Sequence, residues 1–232
     1  MQLLNLFNNH VGLVLTQVPD GNMKAVRELG ETKLQAALSN QLTATRALGL
    51  SGGNTALIKV TYDQDDFCNF ISLEHAGSYS LNNALAVNSS DGIATTTTNL
   101  GIFLPLADCL GLVLYDPLLH ALMVVHCGRH TLLRDGAAKA VEFMTKRSSS
   151  NPGSLKAWTS PSAGKENYPV HDADNKGLLE LAHEQLTKAG LQSCNIELSP
   201  IDTTTSPDFY SHSQGDTSRR FALCAKLNER TS

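Results

Sequence analysis

Aromatic side chains are scarce in this 232-residue chain, at 6% with a single Trp, and charged residues make up only 17%. The surface must therefore be covered largely by Ser, Thr, Asn and Gln. There is no excess of basic charge either. Eighteen Lys and Arg stand against 22 Asp and Glu for a formal charge of -4, which removes the generic pull toward phosphate backbones or anionic lipid and argues against a nucleic-acid or membrane-surface role. No apolar run approaches the roughly 18 residues that a membrane span requires. Residues 1–16 lack the basic start and small-residue cleavage site of a secretion signal. The five cysteines, Cys68, Cys109, Cys127, Cys194 and Cys224, form no CxxC pair. An odd, scattered set indicates neither a disulfide framework nor a closed structural zinc site, and a reducing cytoplasm is the expected setting. No repeat of 20–50 residues is visible. What is present is a 41% hydrophobic composition, enough to bury one core, so a single domain over residues 1–232 is expected.

Hydrophobic periodicity predicts a strand at Val11–Leu15 and an amphipathic helix from Glu31 to Leu48, with Leu34, Ala37, Leu38 and Leu42 on one face. Short β-rich runs follow at Ala56–Tyr62, Asn69–Leu73, Gly92–Thr98, Gly101–Leu106, Leu110–Tyr115 and Leu119–His126, each bounded by Gly, Asp, Asn or Pro. A helix is predicted from Leu132 to Met144 with Thr131 as N-cap, then a polar loop over 145–154 and a strand at Leu155–Thr159. A further helix is predicted at Lys176–Ala189, and the last strands near Asn195–Leu198 and Phe221–Leu227. Strands and helices mix without strict βαβ alternation. The expected fold class is α+β, a layered α/β/β/α-type sandwich of mixed sheets flanked by helices.

The most informative stretch runs Leu104-Pro-Leu-Ala-Asp-Cys-Leu110 and then Leu122-Met-Val-Val-His-Cys-Gly-Arg-His130. It places Cys109 at the break between two apolar strands and His126 at the end of the next, so antiparallel pairing brings the two to one end of a sheet. A neutral His beside a Cys serves either as metal-ligand pair or as base and nucleophile. A helix opening near Thr131 would add partial positive charge able to lower the Cys109 pKa or hold an anion.

The Ala107-Asp108-Cys109 triplet, His126-Cys-Gly128 and the upstream Asp91-Gly-Ile-Ala-Thr95 resemble the YfiH family, also described as laccase-domain or polyphenol-oxidase-like proteins. Asp20-Gly-Asn-Met23, Ser160-Pro-Ser-Ala-Gly-Lys-Glu-Asn-Tyr-Pro-Val170 and Phe209-Tyr-Ser-His212 extend the similarity over nearly the whole chain. The resemblance implies a catalytic zinc held by His75, Cys109 and His126, with His75 at the position that follows a family QVH segment, and a fourth position left open. Copper is less favoured, because a multicopper oxidase needs paired HxH motifs and eight His without such pairs flanking a Cys do not supply them. Where the family has HAGWRG, this chain has Arg129 at the Trp position and His130 at the Arg position. The C-terminal family Arg is replaced by Ser213.

The implied function is a zinc-dependent purine nucleoside phosphorylase, a transferase acting on a nucleoside and phosphate. Adenosine deaminase (hydrolase) and methylthioadenosine phosphorylase activities are possible companions. Catalysis is expected from Cys109, His126 and His75, and substrate binding from Arg129, His130, Asn167 and Tyr168, with Arg219 or Arg220 as a further cation. The alternatives are a Cys–His hydrolase or deamidase acting on a small amide such as a peptidoglycan precursor, with Cys109 as nucleophile, His126 as base and Asp108 or a backbone carbonyl as the orienter, and a diverged nucleoside-binding protein without catalysis. The expected state is a cytoplasmic monomer with no nucleic-acid or membrane partner.

Overall fold

The computed structural model describes residues 1–62, 67–148 and 150–230. The strands in chain order are β1 (Gln2–Leu6), β2 (Val11–Leu15), β3 (Thr55–Leu57), β4 (Phe70–Ser72), β5 (Gly92–Thr95) and β6 (Gly101–Leu106). They continue with β7 (Leu110–Asp116), β8 (Ala121–Cys127), β9 (Lys156–Thr159), β10 (Ile196–Glu197) and β11 (Phe221–Leu227). The α-helices are α1 (Glu31–Arg46), α2 (Arg129–Leu132), α3 (Gly136–Ser148) and α4 (Leu178–Lys188).

Two mixed sheets stack face to face. One has the order β1-β2-β11-β6-β3 and the other β10-β9-β7-β8-β5-β4. β3 runs parallel to β6, β4 parallel to β5 and β10 parallel to β9, and the remaining pairs are antiparallel. The near-continuous apolar runs of β2, β7 and β8 follow from this arrangement, because a strand covered on both faces has no solvent side to make polar. The inter-sheet core holds Leu13, Ile102, Leu104, Val113, Val124, Phe221 and Leu223. Helices α3 and α4 cover the outer face of the six-stranded sheet through Ala137, Val141, Leu181 and Leu186 against Leu112, Met123 and Val125. Helix α1 covers the other sheet, packing Ala44, Leu38 and Leu42 against Val14, Phe103 and Cys224. The result is the expected four-layer α/β/β/α sandwich. No described helix is long and apolar enough to cross a membrane.

Several local expectations are corrected. β1 is an additional edge strand, mostly exposed on one side and pairing Leu3 with Val14. The strand expected over Ala56–Tyr62 ends at Leu57; Ile58 N–H still donates to the Phe103 carbonyl, and the Lys59 carbonyl then accepts from Ser90 N–H. The helix expected from Leu132 is split. Gly128, not Thr131, caps the one-turn α2, and Asp135 then takes a left-handed φ of 58° that an α-helix cannot contain. Gly136 restarts the helix where a Cβ would meet the Thr131 Cγ2 at 2.3 Å. A helix of one turn also lacks the aligned dipole that the anion-binding expectation at Thr131 relied on. The polar loop begins later than expected, since α3 continues to Ser148; Ser149 lies outside the described residues.

Candidate active site

The β7–β8 hairpin fixes the centre of the site. Its register pairs Leu110 with Cys127 and Gly111 with His126, so Cys109, immediately before β7, lies beside the end of β8. Alternation along β8 turns His126 toward the opposing sheet together with Leu122 and Val124. Its backbone N–H donates to the Asp91 carbonyl at 2.8 Å. Gly128 lies between the two side chains. An added Cβ there would meet His126 Cε1 at 2.8 Å, Cys109 Sγ at 3.1 Å and His126 Nε2 at 3.4 Å. The Cε1–Nε2 edge of the imidazole and the thiol therefore converge on one point.

Asp108 supplies the bend that presents Cys109. It is buried, with a left-handed φ of 75°. Its carboxylate accepts from Thr203 Oγ1 at 2.8 Å and from the Ser213 backbone N–H at 2.6 Å, and its carbonyl accepts from Ala163 N–H at 2.8 Å. Asp108 thus ties three distant segments together and holds the loop that carries His212. It makes no hydrogen bond to His126, whose Nδ1 is buried without a partner.

These residues line a cavity of about 510 Å³, closed by Ile58, Val60, Tyr62, Phe67, Leu106 and Tyr168. The segment that follows β3 is one of its walls. Phe67 is buried, stacked on His130 at 4.7 Å between ring centroids, with the Arg134 guanidinium 4.9 Å from its centroid. Four cations reach the cavity: Lys24, Lys59, Arg129 and Arg220. Asn22 places two of them. Its Oδ1 accepts from the backbone N–H of both Lys24 and Arg220 at 2.9 Å, fastening the N-terminal loop to the start of β11. Burial and the adjacent Arg220 charge depress the Lys24 pKa, so two like charges are held together by the scaffold. Arg220 Nη1 donates to the Arg219 and Asp216 carbonyls at 2.7 and 3.2 Å. Arg219 instead pairs with Asp216 and lies over the Tyr210 ring.

The electrostatics disfavour a preformed thiolate–imidazolium pair from both sides. Burial, followed by the Asp108 carboxylate, pushes the Cys109 thiol up to about 11 against the pull of Arg220. Burial, followed by Arg220 and His130, pushes His126 down to about 4. At neutral pH the corner holds a neutral thiol and a neutral imidazole, whereas a Cys nucleophile acts as thiolate.

Of the expected site residues, Cys109, His126, Arg129, His130 and Tyr168 are brought together in the cavity wall. Asn167 is exposed beside it and donates to Thr204 Oγ1 at 2.9 Å. His75 is exposed in the turn after β4 and does not line the cavity. Among the described residues, those that line the cavity upstream of β6, from Lys24 to Ala84, include no His. The residues do not fit the implied three-ligand zinc. Among the described residues no three His, Cys, Asp or Glu side chains converge to hold a metal ion. In addition, a metal on His126 Nε2 would leave a proton on the buried Nδ1 with no acceptor, whereas metal-bound imidazoles almost always donate that proton. Lys24, Lys59, Tyr62, Phe67 and His212 were not singled out as site residues from sequence. The signals present in the sequence are the Asp20-Gly-Asn-Met23 motif next to Lys24 and the Phe209-Tyr-Ser-His212 segment that ends on His212.

A family model described as multi-copper polyphenol oxidoreductase laccase matches residues 31–179. The chain belongs to this family. Among its relatives, the purine nucleoside phosphorylase YlmD of Bacillus subtilis is 30% identical over 164 residues, covering 60% of this chain and 59% of the relative. The match thus spans less than two thirds of that protein. Solved structures share the fold across nearly the whole chain. The Bacillus licheniformis hypothetical protein YfiH superposes with a TM-score of 0.82 at 20% identity, covering 97% of this chain and 96% of that one. YlmD from Geobacillus stearothermophilus gives 0.79 at 17% identity, covering 94% and 92%.

Proposed function

We propose that the cavity binds a purine nucleoside with inorganic phosphate and catalyses phosphorolysis of the glycosidic bond. The observation that carries this reading is the joining, in one cavity of about 510 Å³, of an apolar and aromatic wall with Lys24, Lys59, Arg129 and Arg220. Small-molecule sites are of this size and pair an apolar lining with a few converging polar groups. A base and a sugar suit the wall, and an anion suits the cations. The name of the Bacillus subtilis relative supports the same class.

In the reaction a phosphate oxygen bonds to C1′ as the C1′–N9 bond breaks. The electron pair of that bond leaves with the purine, which takes up a proton, and the products are free base and ribose 1-phosphate. The cations hold the phosphate against the sugar and offset its charge, contributions of position and electrostatics rather than covalent catalysis. Phe67 is already enclosed by His130 and Arg134, and Tyr62 meets both Phe67 and His130, which leaves Tyr168 as the ring of this wall most open to a base. Burial raises the Tyr168 pKa, so it stays a phenol able to donate.

Product analysis distinguishes the related activities. Adenosine, inosine, guanosine and methylthioadenosine are each incubated with the protein, with and without phosphate, and the bases and nucleosides resolved chromatographically. Free base formed only with phosphate is the expected result. Inosine formed from adenosine without phosphate marks hydrolytic deamination instead, and no product from any nucleoside excludes the reading.

A further inference from the structure

We propose that the Cys109–His126 corner of the cavity holds an oxyanion, with inorganic phosphate as its simplest representative, in place of a metal cation. This assignment deepens the phosphorolysis reading by naming its phosphate subsite, yet it concerns binding and stands or falls without turnover.

Three observations carry it. The first is the tautomer that the fold imposes on His126. A neutral imidazole has one N–H and one bare nitrogen. Nδ1 is buried without a hydrogen-bond partner among the described residues, so an N–H there would have no acceptor, whereas an N–H on the cavity-facing nitrogen can meet water or a ligand. The proton therefore belongs on Nε2. That nitrogen lies on the ring edge facing Gly128 and Cys109, both in the cavity wall. The corner thus presents a donor to its ligand where a metal requires a lone pair.

The second observation is the charge around it. Arg220 and Lys24 line the same cavity as Cys109 and His126, and Asn22 Oδ1 accepts from the backbone N–H of both at 2.9 Å, so two like charges are brought together where they repel. A divalent cation in this corner would meet that repulsion, whereas an oxyanion relieves it. Asp108, the carboxylate next in sequence to Cys109, is already engaged by Thr203 and the Ser213 N–H.

The third is the ligand count. Cys109 and His126 supply two donor atoms. The expected third, His75, is exposed and off the cavity, and no other three-residue set among the described residues completes it. Arg220, Lys24 and the Nε2–H of His126 instead offer an oxyanion charge-assisted hydrogen bonds from more than one direction.

The test uses the full chain labelled with ¹⁵N-histidine, with His126→Gln to assign the signal. At neutral pH the expected spectrum shows the Nε2–H tautomer, with its resonance moving as phosphate is titrated in. Zinc added to the same sample leaves it in place, and the purified protein carries no stoichiometric zinc. Calorimetry with phosphate is expected to show affinity falling about tenfold or more in Arg220→Gln and partly recovering in Arg220→Lys. Should the Arg220 variants not fold, Lys24→Gln gives the same reading with a smaller loss. Stoichiometric zinc that disappears in Cys109→Ser, or an Nδ1–H tautomer, overturns the proposal, and so does absence of phosphate binding. Phosphate binding with the expected tautomer but no nucleoside turnover keeps this subsite and discards only phosphorolysis.

Discussion

The Cys109 thiol and the His126 imidazole edge close on the same point above Gly128, 3.1 and 2.8 Å from where a methyl group would sit. Glycine is required there by close approach, since its own φ of -84° is open to any residue. Gly128→Ala is expected to push the imidazole away from the thiol and to lower kcat/KM by about tenfold or more, a 1 Å misplacement being enough for a loss of that order. The melting temperature is expected to fall by only a few degrees. Steady-state kinetics alongside thermal unfolding measure both, and unchanged kinetics would show that the pair does not act in the reaction.

His126 also couples stability to pH. Its folded pKa of about 4 lies below the ordinary 6.5, so the unfolded chain binds more protons between these values, and stability rises with pH across that window. The contribution is fully present above 6.5 and is lost as pH falls toward 4, at most about 3 kcal/mol. Urea unfolding at several pH values is expected to show this slope, and a flatter one in His126→Gln. Equal slopes would place the acid sensitivity elsewhere.

Asp108 accepts two charge-assisted hydrogen bonds in a buried setting, from Thr203 and from the loop that carries His212. Asp108→Asn keeps the left-handed backbone accessible but loses the charge, and one bond must fail if its NH₂ faces the Ser213 N–H. A destabilisation of about 2 kcal/mol is expected, with a higher KM for phosphate as the His212 loop loosens. Denaturant unfolding and phosphate saturation curves together test this. A stability loss without a KM change would limit Asp108 to holding the fold.

At the far end of the sandwich the Tyr115 hydroxyl meets His120 Nδ1 at 3.0 Å, while His120 Nε2 donates to the Asn228 carbonyl at 2.8 Å. Tyr115→Phe removes the only donor to Nδ1 in this network and is expected to cost about 1 kcal/mol. Phosphate affinity should stay unaltered, so calorimetry on this variant controls for general loosening.

The parts of the fold legible in sequence were those with a strong local pattern. β2, β6 and β11 match their predicted bounds residue for residue, because each is a short apolar run stopped by turn residues. β1 escaped notice because an edge strand with Asn5 in its middle and one exposed side shows no such run. The break at Asp135 depended on how Gly136 packs against Thr131, a contact outside the reach of helical periodicity. The same division holds for the site. Cys109 and His126 share one hairpin and were found together, while Lys24, Lys59 and Arg220 meet only through sheet order and the Asn22 clamp. His75, proposed from a motif, is exposed and off the cavity, and residues just after β3 line the wall there.

The dependence of free-base release on phosphate concentration tests the central claim most directly. Initial rates with a purine nucleoside should rise from zero at zero phosphate to a plateau, with the half-saturating concentration shifted upward in Arg220→Lys. Rates independent of phosphate, or no free base at any concentration, would contradict a cavity built to bring phosphate against a nucleoside.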